Sequence, residues 1–220
     1  ARVEQALTET EYIPNTVARN LRTRRTDTIA LVLPDMTNPF FTTLAHGVET
    51  AAREVGISLL IANSDEHEDE EQRLVQVLLQ RQVDGVLIIP AGAGSETIHQ
   101  CRAHGVPVVV VDRRVPETLG ASSVVNDHRP GMEAAVEHLI DLGHRRIALI
   151  TGSPAQLPGR ERMEAMRAVL GRRPEQVEAV YLPGSFSTEY GEAAARQALS
   201  ADPRPTAVIA GGNQLLIGCL

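Results

Sequence analysis

IALVLPDMTNPFFTTLAHGVETAAREVGISLLIA, residues 29–62, holds a strand, a helix and a second strand in that order. IALVLP (29–34) and ISLLIA (57–62) are uninterrupted apolar runs of strand length. Between them, Pro39 to Val55 places its apolar residues at helical spacing. Asn38-Pro39 sets a capping side chain directly before a proline whose fixed φ suits the first helical position. Gly56 stands where that helix has to stop and the chain return to extended backbone. A strand that is apolar on both faces expects cover on both faces, so the stretch reads as one parallel β-α-β unit.

The same alternation continues outward. A helix from His67 to Gln82 precedes GVLIIP (85–90), and a helix from Ser95 to His104 precedes VPVVVVD (106–112). A second series follows: SSVVN (122–126), a helix over Gly131 to Leu142, RIALITG (146–152), a helix over Arg160 to Leu170, VEAVYL (177–182), a helix over Thr188 to Leu199, TAVIAGG (206–212), and a helix opening near Asn213. Gly105 and Gly143 repeat the stop signal of Gly56. The expected fold is α/β: two doubly wound parallel sheets, one per series, joined by right-handed crossovers. Glu68, Asp69, Glu70 and Glu71 crowd the first turn of their helix, where negative charge favours the helix dipole, so that run reads as structural.

Composition bounds the function. The 220 residues are 43% hydrophobic and 22% charged, ordinary for a globular protein, but only 3% aromatic with no Trp. The core must come from Val, Ile, Leu and Ala. Two cysteines, Cys101 and Cys219, cannot form a disulfide framework, so a cytosolic location is expected. No apolar run approaches the ~20 residues that span a bilayer, and the first residues lack the basic and apolar regions of a secretory signal. The chain opens without Met in what reads as helix interior and stops inside a helix, so it is expected to be incomplete at both ends. Net charge is −7, yet Tyr12 to Thr26 carries Arg19, Arg22, Arg24 and Arg25 with no acid, leaving −11 for the rest. A basic segment on an acidic body suits local phosphate contact on a regulator; a solvated basic linker is the alternative.

Enzyme signatures are wanting. There is no G-x-S-x-G elbow and no G-x-x-x-x-G-K-[ST] phosphate loop. AGAGSET (91–97) follows a strand and opens a helix but lacks the third glycine of a dinucleotide fingerprint; it reads as a flexible βα loop. His99, Cys101 and His104 do not converge at helical spacing, and no cysteine pair completes a zinc site. The expectation is a protein that is not an enzyme and needs no cofactor or metal.

The N-terminal stretch sharpens this. ARVEQAL (1–7) reads as a short amphipathic helix, TETEYIPN (8–15) as a turn, and NTVARNLRTRRTDTIALVLPD (15–35) leads into the first strand. This resembles the LacI/GalR family of repressors: the last helix of a helix-turn-helix headpiece, the Y-x-P-N turn, the hinge helix and the opening strand. DMTNPFF (35–41), VDGVLIIP (83–90), PVVVVDR (107–113), LGHRRIALITG (142–152), GRERMEAMRAVL (159–170) and RPTAVIAGGN (204–213) extend the likeness collinearly along the chain. The resemblance implies a periplasmic-binding-protein-like (type I) effector module, divided as 1–26 for the headpiece end and hinge, 27–126 for the first subdomain and 127–220 for a truncated second one. It implies double-stranded operator DNA, a small-molecule effector and a homodimer as partners, and no membrane. It also places Asn15, Thr16, Val17, Ala18, Arg19, Leu21 and Arg22 in the DNA-binding hinge. There Asn15 caps and contacts phosphate, Val17 and Ala18 face the partner copy, and Leu21 wedges into a minor-groove step. Seven residues are too few for a stable isolated helix, so such a hinge would order only on DNA. The alternative for Leu21 is a linker residue packed on the body.

Ligands of open α/β sheets bind beyond the carboxyl ends of the strands. Phe40 and Phe41 lie there after the first strand, suited to stack on a sugar ring or base; helix-face core packing is the alternative for both. Asp112 follows the fourth strand, where the resemblance implies a carboxylate for effector hydroxyls; a loop cap or a salt bridge with Arg113 or Arg114 is the alternative. Arg162 falls at the family's effector-binding arginine, the alternative being a surface helix arginine. Phe186 and Asn213 follow later strands and complete the candidate set. Gln156 and Pro158 replace the arginine and threonine of purine-responsive members, so a sugar is the expected effector. The competing expectation is a sugar-binding protein of a transporter, which shares the two-lobed fold but should carry an export signal and no basic hinge.

Overall fold

The computed structural model describes residues 25–173 and 177–220. The hinge residues Asn15, Thr16, Val17, Ala18, Arg19, Leu21 and Arg22 lie outside the described residues.

Two sheets, both entirely parallel, carry the chain in sequence. The first contains β1 (Thr28–Leu33), β2 (Ser58–Asn63), β3 (Gly85–Ile88), β4 (Val108–Val111) and β5 (Ser122–Val124) in the order β2-β1-β3-β4-β5. The SSVVN strand, grouped with the second series by its place in the alternation, thus pairs instead with β4 in the first sheet. The second contains β6 (Arg146–Gly152), β7 (Glu178–Gly184) and β8 (Ala207–Ala210) in the order β7-β6-β8. The intervening helices are α1 (Pro39–Glu54), α2 (Glu68–Gln80), α3 (Ser95–Ala103), α4 (Arg129–Asp141), α5 (Leu157–Arg172), α6 (Thr188–Leu199) and α7 (Asn213–Cys219), with a 3-10 turn at Glu117–Leu119. In each sheet the first strand is central and the chain winds to both sides, so a topological switch point lies beside β1 and another beside β6.

Period-2 alternation divides the central strands between two cores. Ala30 and Val32 of β1 pack with Val75, Leu78, Ile88, Ile98 and Cys101, while Leu31 and Leu33 pack with Phe41, Ala45 and Ile89 on the other face. In β6, Ile147 and Leu149 meet Met132, Val136 and Met166 of α4 and α5; Ala148 and Ile150 meet Ala194, Ala198 and Leu215 of α6 and α7. Each fully buried Leu or Ile contributes about 1.5–3 kcal/mol of transfer free energy. The continuous apolar runs predicted burial of both faces, and β1 and β6 have it. Edge strands do not: Leu60 and Ile61 of β2 and Val208 of β8 are exposed, because a strand at a sheet's margin is covered on one side only.

The caps match the sequence. Asn38 is extended and accepts from Phe40 N at 3.0 Å, with Pro39 opening α1. Gly56, Gly105 and Gly143 all have positive φ at helix ends. Two helices start earlier than their expected Arg160 and Gly131. α5 opens at Leu157 and α4 at Arg129, because Pro158 and Pro130 sit in their first turns, where a missing N–H costs nothing. α2 stops at Gln80 rather than Gln82, whose φ of 57° turns the chain without glycine.

Candidate ligand-binding cleft

A cleft of about 750 Å³ opens beyond the carboxyl ends of strands from both sheets. Its walls come from the segments after β1, β2, β4 and β5 on one side and after β6, β7 and β8 on the other. All six residues singled out for an effector, Phe40, Phe41, Asp112, Arg162, Phe186 and Asn213, line it.

Each reaches the cleft by a local device. Phe40 is half-buried and meets Phe41 edge-on, with centroids 5.1 Å apart. Phe41 is 6% exposed and belongs to the core beside Leu31 and Ile89, so its main role is packing, with one edge left to the cleft. Asp112 ends β4 in the left-handed region (φ 63°), a conformation Asp tolerates better than most. Its N–H donates to Val124 O at 2.8 Å, and its buried carboxylate accepts one long hydrogen bond, from Asn126 Nδ2 at 3.4 Å. The sequence left open a salt bridge from Asp112 to Arg113. The Arg113 guanidinium instead grips Glu66, Nη1 to Oε2 at 2.9 Å and Nη2 to Oε1 at 2.5 Å, and also donates to Pro90 O.

Asp65 and Glu66, directly after β2, are also left-handed, with φ of 50° and 58°. Three non-glycine residues in that region thus stand along one wall, each a local cost tolerated where the surroundings fix it, a pattern concentrated at binding sites.

On the opposite wall, Arg162 of α5 donates to Pro158 O at 2.9 Å and lies 5.9 Å from the Phe186 ring centroid. Burial lowers its proton affinity, and Asp112 and Glu161 oppose that as counter-charges. His128, at the start of α4, lines the cleft beside Arg162. Its Nδ1 is 3.5 Å from Arg162 Nη2, and its buried Nε2 has no partner among the described residues. Burial, then the Arg162 charge, hold the His128 pKa below its ordinary value.

Sequence reading missed His128, Glu66, Arg113 and Ser153. The signal for Glu66 and Arg113 was positional, each lying just past a strand, but their pairing spans 47 residues and no local pattern reveals it. AGAGSET, expected to be a flexible loop, is tied down instead: Ala91 N donates to Glu71 Oε2 at 2.6 Å, Ala93 N to Glu68 Oε1 at 2.8 Å, and Thr97 Oγ1 to Glu71 Oε1 at 2.6 Å. The acidic first turn of α2 therefore clamps a neighbouring loop as well as facing its own helix dipole. Burial pushes the Glu71 carboxyl up, opposed by those donors.

The profile of periplasmic binding proteins and the sugar binding domain of the LacI family matches residues 26–219. This chain belongs to that family. It is 36% identical over 222 residues to the ribose operon repressor of Escherichia coli (strain K12), covering 99% of this chain and 66% of that protein. Among solved structures, the Cra transcriptional dual regulator from Pseudomonas putida in complex with fructose 1-phosphate aligns with a TM-score of 0.82 at 28% identity, covering 89% of this chain and 72% of that one. The lac repressor dimer bound to operator and the anti-inducer ONPF aligns at 0.81 with 25% identity, covering 99% and 66%. The chain thus spans just under two thirds of the ribose repressor's length. Its fold is the type I periplasmic-binding-protein-like arrangement of LacI-family effector modules. Among the described residues, no helix is long and apolar enough to cross a membrane.

Proposed function

We propose that this chain is the effector-sensing part of a cytosolic, ligand-responsive transcriptional repressor, which grips a palindromic operator as a dimer and is switched by a sugar or related metabolite bound in the cleft. The observation that carries the proposal is the convergence, between two lobes, of a buried carboxylate, a half-buried guanidinium and aromatic faces. Asp112 accepts from adjacent ring hydroxyls, Arg162 donates from the facing wall, and Phe40 and Phe186 cover the apolar face of the ring. A repressor of ribose genes and operator-bound lac repressor among the relatives support the DNA-binding half of the reading.

The switch is a population shift. A ligand touching both walls binds one lobe arrangement more tightly than another, and moving a two-state equilibrium from 1:99 to 99:1 needs roughly 10⁴-fold preference. The division into 1–26, 27–126 and 127–220 then has a working sense: a DNA-contacting segment followed by the two lobes that set its spacing. In that segment Asn15 and Thr16 start the hinge helix, Val17 and Ala18 meet the partner copy, Arg19 and Arg22 neutralise phosphate, and Leu21 wedges the minor groove.

The test is a thermal-shift and calorimetric screen of free pentoses and hexoses. A binder should raise the melting temperature by an amount that grows with its concentration, and Asp112→Asn should weaken it by roughly 10–100-fold, as expected for a lost charge-assisted hydrogen bond. The DNA-binding half is checked by fluorescence anisotropy with the full-length protein. Leu21→Ala should weaken operator binding markedly while leaving effector affinity unchanged; equal operator affinity removes Leu21 from the interface.

A further inference from the structure

The charges around the cleft are unequally committed. Asp35 accepts from Thr37 N and Oγ1, Asp65 from Asn63 Nδ2, and Glu66 is paired with Arg113. Arg162 is left as the cation facing the ligand space whose guanidinium has, among the described residues, no direct carboxylate hydrogen bond. Two carboxylates act on it electrostatically: Asp112 across the cleft and Glu161, its neighbour in α5. Glu161 does not line the cleft. It is 3% exposed, its Oε2 has no hydrogen-bond partner among the described residues, and its Oε1 lies 3.8 Å from Arg129 Nη2. A buried carboxylate without hydrogen-bond donors keeps its field, and that of Glu161 is shared between the exposed Arg129 at 3.8 Å and Arg162, its neighbour in the helix. His128 adds little positive charge near neutral pH, since burial and Arg162 depress its protonation.

Four carboxylates and two guanidiniums therefore line the cleft, an excess of negative charge, with Glu161 behind it paired to the exposed Arg129. Resting on the effector-cleft reading above, we infer that the site takes an uncharged polyhydroxylated ring in preference to its phosphate ester, and that Glu161 is a positioning residue for this choice, offsetting Arg162 so that the arginine donates hydrogen bonds without attracting an anion. A phosphate dianion entering here meets net negative charge, and like-charge juxtaposition is an effective means of rejection. An ammonium group meets Arg162 at the centre.

The experiment is isothermal titration of the complete chain with D-ribose, D-ribose 5-phosphate, D-fructose, D-fructose 1-phosphate and D-glucosamine. The neutral sugar of whichever pair binds should be favoured over its phosphate by at least about 30-fold. Glu161→Gln, nearly the same shape, should cut that ratio by about tenfold through tighter phosphate binding, with neutral-sugar affinity kept within about threefold. Arg129→Gln, an exposed change that leaves Glu161 less compensated and keeps the measurement possible if Glu161→Gln does not fold, should widen the ratio by about twofold. A phosphate ester or glucosamine binding more tightly than the neutral sugars overturns the ligand class but not the effector cleft. An unchanged ratio in folded Glu161→Gln, or in Arg129→Gln if only that variant folds, overturns the role of Glu161. Failure of every sugar and ester to bind overturns the cleft reading and this inference with it.

Discussion

The wall of the cleft supplied by the first sheet is fixed by charge, whereas the wall supplied by the second is fixed by close packing against glycine. On the first wall Arg113 bridges Glu66 and Pro90 O, Asp35 holds Thr37, and carboxylates of α2 accept from the backbone N–H groups of Ala91 and Ala93. On the second, the Phe186 ring occupies the space a side chain at Gly152 would need, and Tyr190 does the same at Gly184. Both set the positions of side chains around the cleft. Charge pairing tolerates small shifts and weakens with salt; glycine packing tolerates no added volume and ignores salt. Ligand contacts on the first wall should therefore depend on ionic conditions more than those on the second.

The largest expected effect tests the packed wall. Gly152→Val should displace the Phe186 ring and overpack the end of β6, costing about 3 kcal/mol, or about 6–12 °C in melting temperature for a protein of this size. The loss should be the same at low and high salt. A loss below about 0.5 kcal/mol in urea unfolding would show that Phe186 has another place to go and that the second wall is not packing-fixed.

A smaller effect tests the charged wall. Glu66→Gln leaves Arg113, 7% exposed, with one strong partner fewer. Breaking a fully buried pair costs about 3–5 kcal/mol. The Glu66 side chain is 37% exposed, so solvent screening reduces the expectation to about 1–2 kcal/mol. The difference from the native protein should shrink as salt rises, the reverse of the Gly152 result. A salt-independent loss of the same size would mean that Glu66 acts through packing.

The contrast also explains what the sequence could reveal. Both sheets were legible because β1 and β6 are unbroken apolar runs flanked by strong stop signals at Gly56 and Gly143. Phe40, Phe41, Phe186 and Asn213 were legible because strand ends converge in this topology, whereas Arg162, inside α5, and the ligand role of Asp112 were legible only through the family resemblance. The start of α5 was misplaced although Pro158 carried the same first-turn signal that located α1, because no capping Asn stood before it. The Glu66–Arg113 bridge and the field of Glu161 on Arg162 were not legible. They depend on which way left-handed residues turn and on what surrounds a buried acid, neither of which has a periodicity.

His128, which lines the cleft beside Arg162, gives the finest test. Its pKa is lowered from 6.5, first by burial and then by Arg162, so between 6.5 and the lower native value the unfolded chain binds a proton that the native protein refuses. Native stability is therefore undiminished above about pH 6.5, falls as pH drops through that window, and levels off below the native value. His128→Gln removes the titration while keeping a polar side chain beside Arg162. The difference in urea midpoint between native protein and variant should move against the native protein between pH 7.5 and 5.5. A difference that stays constant would mean that folding does not lower the His128 pKa, and one that moves in the native protein's favour would mean that Asp112 and Glu161 outweigh burial and Arg162 and hold the imidazole charged.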